Sequence, residues 1–81
     1  SYVMNARIKI LFFGKSRELV GKNEEFLDVP IHMTYKSLLN LISKEFNLEK
    51  ISENLILALN EEYCNPEQEL KLKELDELAV I

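Results

Sequence analysis

The chain contains no tryptophan, one cysteine, one histidine, two glycines and two prolines. A single cysteine cannot close an internal disulfide, which excludes a disulfide-stapled secreted miniprotein. One histidine and one cysteine cannot build a zinc finger or a three-histidine metal site. With only Gly14 and Gly21, there is no glycine-rich phosphate loop. The 10 Lys and Arg are outnumbered by 14 Asp and Glu, a net charge of −4. With no basic cluster, nucleic acid is excluded as a partner, because phosphate affinity comes mainly from cations. No apolar run approaches the ~20 residues of a membrane span, so no membrane partner is expected. With no signal peptide visible, the expected location is cytoplasmic.

What remains is 81 residues, 47% of them hydrophobic and 30% charged, which is ordinary for one globular domain. Ser1, Tyr2 and Val3 precede Met4; they are read as an expression leftover, and the domain as residues 4–81.

Ile8, Ile10 and Phe12 alternate with Arg7, Lys9, Leu11 and Phe13, so the opening segment reads as a strand with the first set inward. Its other face begins charged and ends apolar, at Leu11 and Phe13. Gly14 should end the strand, Ser16 cap a short helical turn, and Gly21 close it with positive φ. Residues 24–29 alternate again, with Leu27 and Val29 inward and Pro30 stopping the strand. Tyr35, Leu38, Leu39, Ile42 and Phe46 form one helical stripe, with Thr34 as N-cap and a staple of Met33 on Leu38. Lys36, Asn40, Ser43 and Lys44 make the expected wet face. Residues 55–59 form an apolar strand whose faces parity cannot assign. Asn60 to Pro66 reads as a polar turn, followed by short strands around Leu70 and Leu72 and over 77–81. In the last strand Leu78 and Val80 share one face, Ala79 and Ile81 the other.

This order predicts an α+β fold: a mixed sheet of four to five strands packed on one main helix, with the other sheet face open, as in the ubiquitin-like β-grasp. No residues assemble a catalytic site. Cys64 has no partner base in view, His32 reads as a solvated loop residue, and Glu61, Glu62, Glu67 and Glu69 read as a solvated acidic turn. The remaining signal is apolar surface at Leu11, Phe13, Tyr63, Ala79 and Ile81, expected to bind a partner protein.

The segment IKILFFGKSRELVG (8–21) closely resembles the opening of MoaD-like proteins, the small sulfur-carrier subunits of molybdopterin synthase. LALNEEY (57–63), NPEQEL (65–70) and DELAVI (76–81) resemble later segments of that family in the same order. The resemblance implies a non-catalytic β-grasp carrier that binds no cofactor itself. Its C-terminal Gly-Gly is adenylated by an ATP-using activating enzyme and converted to a thiocarboxylate. The tail then enters the large synthase subunit, in a heterotetramer of two small and two large chains, and sulfur passes to a pterin precursor to form the dithiolene that holds molybdenum. Two glycines suit such a tail because a thin rod without Cβ atoms can enter a narrow channel.

Carried over by position, the resemblance makes Phe13, Tyr63 and Ile81 apolar partner contacts and Arg17 a polar one. It also makes the first and last strands parallel neighbours, with Phe13 beside Ile81. Two departures stand out. Leu75-Asp76-Glu77 replaces the family's Gly-Asp-Glu, so that turn must form without glycine. The Pro-Pro-x-x-Gly-Gly tail does not follow Ile81, read either as truncation or as loss of the carrier role. The alternatives are a sulfur carrier for thiamine or tRNA thiolation and a tail-less ubiquitin-like binding module.

Overall fold

The structure, a computed structural model, describes residues 4–81; Ser1–Val3, read above as an expression leftover, lie outside the described residues. Strand β1 (Asn5–Phe12) leads into helix α1 (Gly14–Val20) and returns as β2 (Glu24–Pro30). Then come β3 (His32–Thr34), the main helix α2 (Tyr35–Glu45) and a 3₁₀ helix (Glu49–Asn54). The chain ends in β4 (Leu57–Leu59), β5 (Glu62–Tyr63), β6 (Glu69–Lys71) and β7 (Glu77–Val80). Five strands form a mixed sheet in the order β2-β1-β7-β4-β5, with β1 and β7 parallel and the other pairs antiparallel. With α2 on one face, this is the ubiquitin-like β-grasp. Among the described residues no helix is long and apolar enough to cross a membrane.

The alternation in β1 holds: Ala6, Ile8, Ile10 and Phe12 are buried and meet Val29, Leu57, Leu78 and Val80 from neighbouring strands in one core. Leu38 and Ile42 of α2, both fully buried, fill it from the other side. Each such side chain stabilises the fold by about 1.5–3 kcal/mol. Phe12 and Phe46 meet edge to face at 4.9 Å. Thr34 caps α2, its hydroxyl accepting from the Ser37 N–H at 3.0 Å. The Tyr35 hydroxyl accepts from the Leu57 N–H, tying the start of α2 to β4.

Several details differ from the sequence expectation. Ser16 is not the cap of α1; Phe13 occupies the N-cap position and Ser16 lies in the first turn. His32 lies in a strand rather than a loop: β3 pairs with β6 in a separate two-stranded sheet. Three residues with only Met33 turned toward the core carry too little alternation to show in the sequence. Ser43 is buried instead of wet, because α2 ends in a Schellman turn. Asn47 takes φ +57°, the Leu48 N–H donates to the Ser43 carbonyl at 2.7 Å, and the returning 3₁₀ helix packs back on α2. Among the described residues, the Ser43 hydroxyl has no hydrogen-bond partner.

Two turns and one carboxylate fix the sheet's far end. Asn60 and Glu61, with φ of 50° and 70°, make the two-residue turn between β4 and β5. The Asn60 amide donates to Asp76 Oδ1 at 3.0 Å and its oxygen accepts from the Glu77 N–H at 2.9 Å. Asp76, 3% exposed, also accepts from the Lys73 N–H at 2.9 Å and from Lys73 Nζ at 2.7 Å. Burial alone would raise its pKa; the Lys73 ammonium, the Asn60 amide and the Lys73 N–H outweigh burial and hold it below the ordinary 3.8.

The missing glycine shows directly. Leu75 adopts φ +67° while 73% exposed, a left-handed conformation that costs an L-residue about 1–2 kcal/mol. Glycine there gives part of that back in unfolded-chain entropy. Leu75→Gly should therefore stabilise the domain by up to about 1 kcal/mol, raising Tm by several degrees; an unchanged or lower melting temperature contradicts the strain.

Asp76 makes a pH prediction. A carboxylate with a depressed folded pKa stabilises above its unfolded pKa and stops doing so as pH falls through the folded value. Stability should decline below about pH 4. Asp76→Asn, which turns an amide donor toward the Lys73 donors, should cost about 1–3 kcal/mol at neutral pH. The gap between the two proteins should narrow in acid; a gap constant from pH 7 to pH 2.5 in denaturant titrations would refute it.

Candidate functional site

The open face of the sheet is built by the residues that alternate with the core. On β1 these are Arg7, Lys9 and Leu11, with Phe13 just beyond; on β7 they are Glu77 and Ala79, with Ile81 just beyond. Both strands run from charged to apolar. Because they are parallel, in register Lys9 to Glu77 and Leu11 to Ala79, their charged ends coincide and so do their apolar ends.

The charged half is self-satisfied. Arg7 pairs with Asp28 at 3.2 Å, and Lys9 Nζ lies 3.5 Å from Glu24 and 4.0 Å from Glu77. Both cations also sit over the Phe26 ring, 5.6 and 5.7 Å from its centre. These exposed pairs contribute little each, and Phe26 beneath the two cations stays 40% exposed.

The apolar half is not covered. Across the sheet, Leu11 stands opposite Ala79, Ala79 opposite Ala58, and Ala58 opposite Tyr63. Two alanines make a floor between larger side chains. The result is a groove of about 280 Å³ walled by Leu11, Phe13, Tyr63 and Ile81, with Glu61 and Glu77 at its rim. Phe13 and Ile81 are each 43% exposed and Tyr63 74%.

Backbone bonds fix these walls in place. The Phe13 N–H donates to the Val80 carbonyl at 3.1 Å, and Ile56 and Ile81 exchange N–H to carbonyl bonds at 2.8 and 2.9 Å. Phe13 and Ile81 therefore stand at the same end of neighbouring strands.

Of the six residues singled out from sequence, the structure gathers Leu11, Phe13, Tyr63, Ala79 and Ile81 around this groove. Arg17 lies on α1, exposed, and is not among the lining residues. Ala58 was not singled out. Its strand is apolar on both faces, so only the register against Ala79 reveals which way it points. Glu61 read as solvated turn charge, Glu77 was not singled out as a site residue, and nothing in their spacing marks them as a rim.

The other chemically active groups lie apart from the groove. Burial pushes the Cys64 thiol up, so it stays protonated and poorly nucleophilic. His32 is exposed on β3, opposite Lys71. Among the described residues no three His, Cys, Asp or Glu side chains cluster to hold a metal ion.

Comparison with known proteins agrees with this geometry. The model of the ThiS family matches residues 10–81. A molybdopterin synthase sulfur carrier subunit of Anopheles gambiae is 44% identical over 80 residues, covering 95% of this chain and 88% of that protein. Among solved structures, a putative molybdopterin converting factor, subunit 1, from Pyrococcus furiosus superposes with a TM-score of 0.71 at 26% identity, over 93% of this chain and 94% of its own. SAMP1 from Haloferax volcanii shares the fold with a TM-score of 0.73 at 15% identity, over 94% of this chain and 93% of its own. The family match across the strands that build the groove, together with the close sequence relative, establishes that the chain belongs to the ThiS family, with MoaD-like sulfur-carrier subunits as its relatives.

Proposed function

We propose that this chain is the small, sulfur-carrying subunit of a molybdopterin synthase, and that the groove of Leu11, Phe13, Tyr63 and Ile81 is where the large subunit docks. The observation that carries the docking is the division of the open face. Its charged half is internally paired, whereas its apolar half is left uncovered at the end of β7. A carrier must deliver a chemical group held on its tail into a partner's active site. An apolar patch beside the point where the chain leaves the sheet fixes the body while the tail reaches inward.

In this reading a Gly-Gly terminus follows Ile81 in the working protein. An activating enzyme spends ATP to adenylate the terminal carboxylate, and sulfur then replaces the adenylate to give the thiocarboxylate. The carrier contributes docking and reach, and its partners contribute the catalysis. Two small and two large chains form the complex, in the cytoplasm. The acidic rim at Glu61 and Glu77 frames the groove without occupying it.

The test is affinity for the large subunit, measured by calorimetry with co-elution as a check. Phe13→Asp and Ile81→Asp each place a charge on the groove wall and should each weaken the complex by about 2–4 kcal/mol, or roughly 30-fold to 1,000-fold in Kd. Glu24→Gln, in the charged half, should leave it unchanged. Wild-type affinity in both Asp variants would remove the groove from the interface; no complex with the wild-type chain would remove the functional reading itself.

A further inference from the structure

Strand β1 stops at Phe12, one residue before the chain turns into α1, yet β7 continues to Val80. Past that point the Phe13 N–H makes the last bond from this segment to its parallel neighbour, to the Val80 carbonyl at 3.1 Å. Ser16 adds a second donor to the same carbonyl. Its hydroxyl, 1% exposed, lies 2.9 Å from the Val80 carbonyl and 2.8 Å from the Phe13 carbonyl, sharing its single proton between them. The Phe13 N–H is likewise shared, between Ser16 Oγ at 3.2 Å and the Val80 carbonyl at 3.1 Å.

Capping α1 needs only the local bonds to Phe13. The bond to Val80 spans 64 residues of sequence and serves no helix end. On the other side of β7, Ile56 holds both the N–H and the carbonyl of Ile81. The last residues of the sheet are thus gripped from two sides, by Ile56 of the chain leading into β4 and, on the β1 side, by the Phe13 N–H and the Ser16 hydroxyl together.

We propose that Ser16 is a positioning residue for the chain that follows Ile81: by fixing the Val80 carbonyl it sets the direction in which the tail leaves the body. This rests on the sulfur-carrier reading above. The leverage is geometric. A tail of the Pro-Pro-x-x-Gly-Gly form extends at most about 20 Å, so a tilt of about ten degrees at its root moves the tip by about 3 Å. Misplacement on that scale is enough to slow a reaction between bound partners without altering how the bodies dock. The bond is buried, where a hydrogen bond is electrostatically stronger than in water, so losing it counts for more than at the surface.

The experiment uses the chain with its Gly-Gly terminus, converted to the thiocarboxylate and bound to the large subunit, and reads single-turnover sulfur transfer. Ser16→Ala should slow transfer roughly tenfold or more while leaving affinity for the large subunit unchanged. Ser16→Thr, which keeps the hydroxyl, should recover most of the rate. Ile42→Val, a core change on α2 that touches none of the hydrogen bonds at the end of β7, controls for destabilisation and should transfer at the wild-type rate. If Ser16→Ala does not fold, Ser16→Cys, with a weaker donor of similar size, is read in its place. Transfer at the wild-type rate without the Ser16 hydroxyl overturns the proposal, as does equal slowing in Ile42→Val. A wild-type chain that acquires no thiocarboxylate defeats the carrier reading, and this inference with it.

Discussion

The structure depends on the parallel pairing of its first and last strands. β1 and β7 lie side by side within the sheet; β2 attaches to β1, β4 to β7, and β5 to β4. Parallel neighbours cannot be joined by a tight turn, so the whole intervening chain becomes the crossover. That chain supplies α2, which covers one face and closes the core. The pairing also sets the end of the first strand beside the end of the last, at the place where function is proposed.

The same pairing sorts the open face. Neither strand is apolar throughout. Lys9 precedes Leu11, and Glu77 precedes Ala79. An antiparallel arrangement would set the charged half of one strand against the apolar half of the other. Parallel register aligns like with like, so one half of the face closes on itself through ion pairs and the other stays bare. The depth of the bare half comes from small residues: Ala58 and Ala79 lie low between Leu11 and Tyr63. A site of this kind is made as much by what the side chains omit as by what they offer.

Much of this was legible in the sequence. Period-two alternation in β1 and β7 marked both the core residues and their outward neighbours, and the helical stripe placed α2 within two residues. Elements held by local rules with strong signals read well: the Thr34 cap and the left-handed Gly21 both stand as expected. What failed to read was set by distant partners or by too few residues. β3 is three residues long and exists because β6 lies across from it. Ser16 looked like a cap because its hydroxyl does engage the helix start; that it also reaches Val80 depends on the packing of α1 against the end of β7. Ser43 looked solvated until the turn at Asn47 folded the chain over it. Leu75 read as a departure from the family pattern, and its positive φ places it in a backbone conformation that favours glycine.

The edge strand β2 has a consequence for life outside a complex. Seven residues of it border the sheet with one side of the backbone unpaired. A chain that waits for partners with half its open face bare is at risk of stacking edge to edge with its own copies. The sequence of β2, Glu-Glu-Phe-Leu-Asp-Val-Pro, opposes this. Three charged side chains would have to be desolvated along with their cationic partners if the same strand of another copy were to pair there, and the proline removes a donor at the end. The border that cannot be covered is made unattractive to itself, so a small protein with an adhesive face can stay dispersed until the right surface arrives.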